Sequence, residues 1–354
     1  MLISLGEIMK FLRCDKKEKN SGRRIAIIGG GASGLSAAGE LICKGHEVHV
    51  YDEMPEAGGF LMFGISSYEI PKEGVRESIR ELKEAGVIFH LNTSIGKDVD
   101  FEELVKRYDA VLLATGTWKC NGTRIPGDDM KGVYYALDFM KKYNMRELGH
   151  DAEVPKLSGK IAVVIPEVSG KRTEIGGDLI AVDLIPMLFI QGAEKVMLIY
   201  RGSRKETESA EKNFNYIENY YLEYSKEKLE IMEFTQCMQF VGDNNIVTGI
   251  EAVKTKIEGG EIRRIEDSDF LIEVNNIIIA SSPVPTLPFE NEKYGIRLND
   301  DGTVKTDRFF RTTREKVFAA GNVNHGPWFL IPAIRSGRNA AKSIDIYLKE
   351  GKWT

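Results

Sequence analysis

The amino-acid sequence predicts an α/β fold made of two βαβ-type domains, the second inserted into the first. Two observations support this fold class. An apolar run, a glycine-rich turn, a small-residue segment and a second apolar run follow one another at residues 24–53, and a similar strand–helix–strand pattern returns at residues 160–200. The last strand and helix of the chain then complete the first domain. We therefore expect a short leader at residues 1–22, a first domain at residues 23–145 and 286–354, and an inserted domain at residues 146–285.

The first glycine-rich turn has the spacing Gly29-x-Gly31-x-x-Gly34. The first glycine allows a tight turn, the second lets the backbone approach a pyrophosphate, and the third lets the helix pack closely on the strand. The phosphates then lie against backbone N–H groups at the positive end of the helix. Asp52 or Glu53, about 20 residues further on, is placed to accept hydrogen bonds from a ribose. The combination predicts a Rossmann-like dinucleotide site.

The remaining elements of the first domain follow in order. Residues 54–71 form an apolar loop interrupted by glycines, and because exposing its aromatic and aliphatic side chains would be costly, we expect it to cover something. The strand that we predict at residues 110–114 ends in Ala114, Thr115 and Gly116, small residues that let the backbone approach a ligand. Before that strand we expect a helix at 72–85, a strand at 87–92 and a helix at 101–107.

The second βαβ pattern begins after a polar segment, residues 143–158, which we interpret as a linker. The chain later returns to the first domain through a strand at 316–320, Gly321 and Asn322, and a helix from about Pro332 to Leu348, because proline suits the first turn of a helix. Inside the inserted domain we expect a strand at 160–165, a helix within 179–191, a strand at 195–200, a helix at 210–224, β-rich segments at 231–240 and 246–256, and a strand at 277–280.

Composition limits the possible functions. The 354 residues are 42% hydrophobic and 29% charged, which is ordinary for a soluble globular protein. A net charge of −5 argues against general nucleic-acid binding, which needs a basic face. No apolar window reaches the roughly 20 residues needed to span a bilayer, and the first residues lack the order of a signal peptide, so we expect no membrane association and a cytoplasmic location.

The four cysteines, Cys14, Cys43, Cys120 and Cys237, are far apart in the sequence and form no CxxC. Neither a local zinc or iron–sulfur ligand set nor a redox-active dithiol is therefore expected, and we predict no metal site. Cys43 is interpreted as a small buried apolar residue of the first helix.

Several ordered segments make the chain recognisable: PEAGGFLMFGI, YEIPKEGVRESIRELKEAGVIFHLNTSIGKDV, DAVLLATG, IPGDDMKGVY, and FAAGN followed by GRNAA. Together they resemble the glutamate synthase small (beta) chain, the flavoprotein subunits of NADH-dependent ferredoxin:NADP oxidoreductases and the flavin domain of dihydropyrimidine dehydrogenase. The resemblance is strong over residues 23–140 and 290–349 and weak over residues 157–285. It implies two Rossmann-like (FAD/NAD(P)-type) domains, the second inserted into the first, and an FAD-dependent oxidoreductase.

The resemblance also implies which residues hold FAD. Asn322 stands where the family has an aspartate, and its amide keeps an acceptor oxygen for a flavin-chain hydroxyl. The helix beginning near Pro332 is expected to point its positive end at the flavin. The implied contacts are Gly29, Gly31, Ala32, Ser33 and Gly34 with the pyrophosphate; Asp52, with its neighbour Glu53, with the ribose; Gly58, Gly59 and Leu61 along the chain toward the ring; Ile95 beside adenine; Ala114, Thr115 and Gly116 over the cofactor; and Gly321, Asn322, Pro332 and Ala333.

The inserted domain departs from the family at its nucleotide turn. Pro166 follows the strand where relatives enter a glycine turn, and Asp178 stands where a third glycine admits a phosphate. Arg201 is one of two arginines that relatives use for the 2′-phosphate, and residues 280–283 replace an Ala-x-Gly. We interpret the NAD(P)H site as weakened or lost, and a working NAD(P)H site is the alternative interpretation. We interpret Lys171 and Arg172 as part of a solvated basic loop.

These observations predict an electron-transfer flavoprotein subunit with FAD as cofactor. The alternatives are a non-catalytic FAD-binding scaffold and a flavin subunit of a heterodisulfide-reductase-like complex. Relatives carry an amino-terminal iron–sulfur domain, and because only Cys14 lies in the leader, we expect either a homodimer or a partner redox subunit that carries the clusters. No catalytic residue is assigned; Cys120 and His325 could approach the flavin but are read first as loop residues.

Overall fold

A computed structural model describes residues 9–67, 69–120, 122–123, 125–166, 176–225, 228–327 and 329–353, without the side chains of residues 220–225. Residues 167–175, which include Lys171 and Arg172, lie outside this range. The chain divides into two compact units, Met1–Lys119 with Val284–Thr354, and Cys120–Pro283. The second unit therefore begins before the predicted boundary at residue 146.

The first unit is built on a parallel sheet of five strands. Its elements up to residue 120 are β1 (Arg24–Ile28), α1 (Ala32–Cys43), β2 (Glu47–Tyr51), α2 (Phe60–Phe63), α3 (Lys72–Glu84), β3 (Ile88–His90), α4 (Phe101–Arg107), β4 (Ala110–Leu113) and the first residue of β5 (Lys119–Cys120). β1 is the central strand and β4 is buried along its whole length, as expected for parallel strands covered on both faces.

The second unit contains a second parallel sheet and an antiparallel one. Its elements are β6 (Val133–Tyr135), α5 (Ala136–Glu147), β7 (Gly159–Ile165), α6 (Gly177–Ile190), β8 (Ala193–Tyr200), α7 (Glu208–Ser225), β9 (Leu229–Met232), β10 (Thr235–Asp243), β11 (Ile246–Glu258), β12 (Glu261–Arg264), β13 (Phe270–Glu273) and β14 (Asn276–Ile279). The parallel sheet has the order β6-β14-β7-β8-β9, so β7 is central here. β10, β11, β12 and β13 pair antiparallel with one another.

The chain then returns to the first unit. β15 (Pro283–Val284) begins the return, and β16 (Val317–Ala319), α8 (Asn322–His325) and α9 (Leu330–Glu350) complete it. β16 pairs with β4, which gives the first sheet the order β16-β4-β1-β2-β3. The fold class is thus confirmed: two α/β units, with the second inserted in the sequence of the first. In the described part of the chain, no helix is both long and apolar enough to cross a membrane.

Two sequence-based interpretations are wrong. Part of the predicted linker, from Tyr143, is helical: α5 continues to Glu147 because Ala136, Phe139, Met140 and Tyr143 form one buried face at helical spacing. Cys43 is not a simple apolar residue, since its sulfur forms a disulfide with Cys14 across 29 residues of sequence. The disulfide ties residues 9–22 to the end of α1.

Candidate cofactor-binding site

The glycine turn after β1 has the geometry that its spacing predicts. Gly29 has a φ of +105°, and a Cβ there would lie 2.4 Å from the carbonyl oxygen of Ala114. A Cβ on Gly34 would lie 2.0 Å from the carbonyl oxygen of Gly29, so this glycine allows α1 to pack closely on β1. Beside Gly31 there is space, because the nearest atom to a Cβ is 3.9 Å away on Gly59. The first and third glycines thus serve packing, and the second borders open room.

Asp52 holds this turn in place. Its carboxylate accepts hydrogen bonds from the backbone N–H of Gly30 at 2.6 Å and of Met54 at 2.9 Å, and the residue is only 9% exposed. A carboxylate has about four lone-pair positions, so it can accept several hydrogen bonds at once. The sequence predicted an acid here, but not that the same acid would support the turn. Glu53 is exposed.

The glycine pair Gly58-Gly59 packs directly on the first turn. The N–H of Gly58 donates to the carbonyl oxygen of Gly30 at 2.7 Å, and a Cβ on Gly59 would lie 2.7 Å from the Cα of Gly31. The short helix α2 follows and buries Leu61, Met62 and Phe63. The apolar loop therefore covers the core of the first unit and contacts the turn.

Two basic side chains of α3, not predicted from the sequence, fix this loop. Lys72 is 6% exposed and donates to the carbonyl oxygens of Leu61 at 2.7 Å and Ile65 at 2.6 Å. Arg76, one helical turn later, forms two 2.8 Å bonds with the carboxylate of Glu56. Their spacing of four residues was the available signal, because it places both cations on one face of α3.

The segment after β4 is bound to the returning chain within the first unit. The hydroxyl of Thr115 donates to the carbonyl oxygen of Thr286, and the hydroxyl of Thr286 accepts from the N–H of Trp118 at 3.0 Å. Ala114 is 6% exposed, and Gly116 has a positive φ of 72°. The indole of Trp118 also contacts the ring of Phe60, at 5.5 Å between centroids. No pattern in the sequence had indicated a role for Thr286.

The carboxyl-terminal contribution meets the turn at Ser33. A Cβ on Gly321 would lie 2.7 Å from the Cβ of Ser33, and the N–H of Gly321 donates to the hydroxyl of Ser336 at 2.9 Å. α9 begins at Leu330, two residues before the predicted start, so Pro332 and Ala333 are in its first turn. Asn322 is the first residue of α8. Turn and carboxyl-terminal segment therefore lie side by side.

Ile95 lies beside the second strand rather than in the turn. Its side chain is 1% exposed and belongs to a buried cluster with Ala26, Ile28 and Tyr51. The N–H of Thr93 donates to the carbonyl oxygen of Asp52 at 2.9 Å, which places this segment next to the ribose acid. A contact of Ile95 with adenine could come only from its backbone or from an edge of the side chain.

The residues present fit a bound dinucleotide. The Ser33 hydroxyl is buried and has no hydrogen-bond partner among the described residues, although it lies at the start of α1. A buried hydroxyl without a partner costs about 1–3 kcal/mol, and a phosphate oxygen would satisfy it. A phosphate would also have room beside Gly31, and it would accept hydrogen bonds from the uncapped N–H groups at the start of α1.

The corresponding position of the second unit is different. α6 also begins after a glycine, Gly176, that provides no side-chain cap, but its first turn contains Asp178, which is 0% exposed. The amide of Asn213 donates to the Asp178 carboxylate at 2.7 Å. A carboxylate of the chain itself thus occupies the positive end of this helix.

The basic residues after β8 are also constrained. Arg204 pairs with Glu218 at 2.6 Å and Glu233 at 2.9 Å, whereas Arg201 is exposed. Burial, followed by a hydrogen bond to Glu206, raises the pKa of Tyr200, so this phenol stays neutral.

His325 and Cys120 belong to different units of the chain. His325 belongs to the short helix α8, and burial lowers the pKa of its imidazole. Its ring meets Phe310 edge-on, with centroids 6.1 Å apart. Cys120 lies in the second unit, where its sulfur is 3.8 Å from the carbonyl oxygen of Ser281. No described group of histidine, cysteine and acidic residues has a metal-binding arrangement.

Two units, each with a central parallel strand leading into a glycine-capped helix, define a two-domain dinucleotide-binding oxidoreductase. The chain belongs to the pyridine nucleotide-disulphide oxidoreductase family, whose family model matches residues 23–342. The sequence-based recognition is confirmed. The chain is therefore an oxidoreductase, and the cofactors of its family are FAD and NAD(P)H.

Curated relatives have the names that the resemblance implied. The glutamate synthase [NADPH] small chain of Azospirillum brasilense is 32% identical over 337 residues, which cover 93% of this chain and 67% of the relative. The NADP(+)-dependent formate dehydrogenase subunit beta of Moorella thermoacetica is 29% identical over 345 residues, covering 94% of this chain and 45% of that protein. The chain thus spans about two-thirds of the first relative and less than half of the second.

Solved structures share the fold at lower identity. FprA of Mycobacterium tuberculosis in complex with NADPH has a TM-score of 0.70 and 17% identity, covering 93% of this chain and 86% of that one. Thioredoxin reductase of T. acidophilum has a TM-score of 0.61 and 19% identity, covering 92% and 98%. At these identities the likeness concerns the fold alone.

Proposed function

We propose that the chain is an FAD-dependent electron-transfer subunit that exchanges electrons with a redox partner and has a weakened NAD(P)H site. The observation that carries the proposal is the contrast between the two helix ends. The α1 end has room beside Gly31 and an unpartnered Ser33 hydroxyl, whereas the α6 end contains the buried Asp178 carboxylate. The small-chain and subunit names of the relatives support a role beside a partner.

The charge of Asp178 opposes a nucleotide phosphate at α6. Two unit charges about 4 Å apart repel by about 4 kcal/mol at an effective dielectric constant of about 20. That energy corresponds to roughly three decades in affinity. Of the two described arginines just after β8, Arg201 is exposed, whereas Arg204 is paired with two glutamates.

In the first unit the same reasoning assigns roles to the predicted residues. Ser33 would donate its hydroxyl to the pyrophosphate, Asp52 would accept from the ribose, and the first turn of α9 would add positive potential. When bound, FAD accepts a hydride or two electrons and passes them on. Lys72 and Arg76 would keep the loop of α2 in position during this exchange.

The proposal is tested by anaerobic mixing of the FAD-loaded protein with NADPH, with NADH and with a chemical reductant, while flavin absorbance is followed. We expect the chemical reductant to bleach the flavin and both nucleotides to act slowly or not at all. Rapid bleaching by either nucleotide would contradict the weakened site. A protein that takes up no FAD would refute the cofactor assignment, and a flavin that no reductant bleaches would favour a structural, scaffold role.

A further inference from the structure

One face of the first unit carries a concentration of positive charge. The face consists of residues 9–22 and the helix α9, and we call it the basic face. These segments contain nine lysines and arginines and four aspartates and glutamates, a net charge of +5. Because the whole chain has a net charge of −5, the remaining residues together carry −10. Such separation of charge is a feature of surfaces that steer a charged partner.

The two segments form one continuous surface. The guanidinium of Arg338 donates to the carbonyl oxygen of Lys10 at 3.1 Å, and Glu18 lies close enough to Lys349 for their charges to interact. Residues 9–22 therefore run beside α9 from its third turn toward its end. The basic side chains of α9 lie at spacings of three, four and seven residues, which places them along one side of the helix: Arg335, Arg338, Lys342 and Lys349.

Most of these cations have no carboxylate partner. Glu18 pairs with Lys44 and Asp345 with Lys349, so acidic groups of this region are already engaged. Among the described residues, six basic side chains of the face have neither an ion pair nor a hydrogen bond: Lys10, Arg13, Lys16, Lys19, Arg335 and Lys342. All six are exposed.

Arg338 is the residue for which an anion would matter most. Its Nε atom is buried and has no hydrogen-bond partner among the described residues. Burial lowers the pKa of Arg338, and the nearby positive charge of Arg13 lowers it further. The negative charge of Glu40 raises it. The positive charges of Arg13 and Arg338 therefore repel each other, and one neighbouring carboxylate, that of Glu40, acts against this repulsion. An acidic group at this surface would relieve both the repulsion and the unsatisfied donor.

We propose that the basic face docks the acidic surface of a redox partner protein. This inference rests on the proposed function, because it names where the partner of that function binds. Arg335 is three residues from Pro332, a distance of about 4.5 Å along the helix, so a docked partner would lie near the predicted flavin end of α9. A nucleic acid fits less well, because a long polyanion would also meet the −10 of the remaining chain.

The test uses the FAD-loaded full chain and two probes. Poly-L-glutamate reports docking, and reduced plant-type [2Fe–2S] ferredoxin, an acidic one-electron carrier, reports electron delivery; two carriers supply the two electrons that bleach one flavin, with protons from solvent. The variant is Arg335→Glu with Lys342→Glu. The matched control is Lys305→Glu with Arg308→Glu, which makes the same charge change at two exposed residues outside the basic face. Thermal unfolding and FAD content verify that both variants fold.

We expect the Arg335/Lys342 variant to weaken poly-L-glutamate binding and slow flavin bleaching at least tenfold, and the control to change each less than twofold. Raising the ionic strength from about 0.01 M to about 1 M should abolish the difference. If the reversal variant does not fold, Arg335→Gln with Lys342→Gln should give a smaller loss in the same direction.

Three results would overturn the docking proposal: equal effects of variant and control, binding without salt dependence, and binding of poly(U) or anionic vesicles as tight as that of poly-L-glutamate. Failure of the proposed function has a different signature. In that case poly-L-glutamate binds the basic face as expected, but ferredoxin does not bleach the flavin in any variant.

Discussion

Two alanine substitutions separate the packing role of the glycine turn from its binding role. A Cβ at position 34 would lie 2.0 Å from the carbonyl oxygen of Gly29, so Gly34→Ala must shift α1 away from β1. At position 31 the nearest atom is 3.9 Å away and φ is −79°, so Gly31→Ala fits the folded protein without strain. The methyl group that Gly31→Ala adds instead points into the room that we assign to the pyrophosphate.

The expected magnitudes follow from these distances. Overpacking costs about 1–3 kcal/mol, which lowers the melting temperature of Gly34→Ala by about 2–4 °C per kcal/mol. Gly31→Ala should leave the apo-protein within about 0.5 kcal/mol of the parent, because the loss of a favourable helix cap and the reduced entropy of the unfolded chain nearly cancel. In the Gly31→Ala variant the added methyl group overlaps the pyrophosphate position, and the same 1–3 kcal/mol weakens the affinity for FAD roughly 5- to 150-fold.

The assay is thermal unfolding of the apo-protein and of protein saturated with FAD, together with a fluorescence titration of FAD. The parent should gain about 2.7 kcal/mol at an FAD concentration 100 times its Kd, and at the same concentration Gly31→Ala should gain about 1 to 2.4 kcal/mol less. Parent-like FAD affinity in Gly31→Ala would refute the assignment of the pyrophosphate to this turn. Parent-like apo-stability in Gly34→Ala would refute the packing argument.

Three further predictions concern stability. Burial lowers the pKa of three histidines, His46, His90 and His325, below their ordinary value of 6.5. The unfolded chain therefore binds more protons than the folded protein as the pH falls. In urea unfolding, the free energy of unfolding should be constant above about pH 7 and should decline as the pH falls below 6.5. Lys72→Met removes the donor to Leu61 and Ile65 and should cost about 1–3 kcal/mol in denaturant titration, whereas Lys83→Met, at an exposed position of α3, should stay within about 0.5 kcal/mol. Replacing both Cys14 and Cys43 by serine should cost about 3–4 kcal/mol, reduction of the parent should reproduce that loss, and reductant should leave the double variant unchanged.

The parts that the sequence predicted well depend on local pattern. The three glycines, the apolar strands and the acid after β2 each have a cause within a few residues, so their positions could be derived before the structure. The start of α9 was predicted within two residues for the same reason, since Pro332 suits its first turn. The assignment of these residues to FAD stays a prediction, supported by the geometry of the turn.

The parts that the sequence did not predict depend on contacts between distant residues. Thr286 reaches Thr115 across 171 residues, and Cys14 reaches Cys43 across 29, so no local pattern could identify either pair. The double use of Asp52 belongs here too, because its backbone donors at Gly30 and Met54 depend on how the loop closes. Arg338 and Lys10 are 328 residues apart, which is why the basic face emerged only from the structure.

The two helix ends differ in a way that bears on the weakened nucleotide site that we propose for the second unit. An uncapped helix end leaves N–H groups and positive potential that an anion must satisfy. In the first unit no side chain caps α1 at Gly31, and the unpartnered Ser33 hydroxyl lies beside it, so the requirement is left for a ligand. In the second unit the first turn of α6 contains the buried carboxylate of Asp178, which accepts a hydrogen bond from the Asn213 amide. A carboxylate in this turn would stabilise the helix in the absence of nucleotide, and under the proposed function it would repel a nucleotide phosphate by its charge.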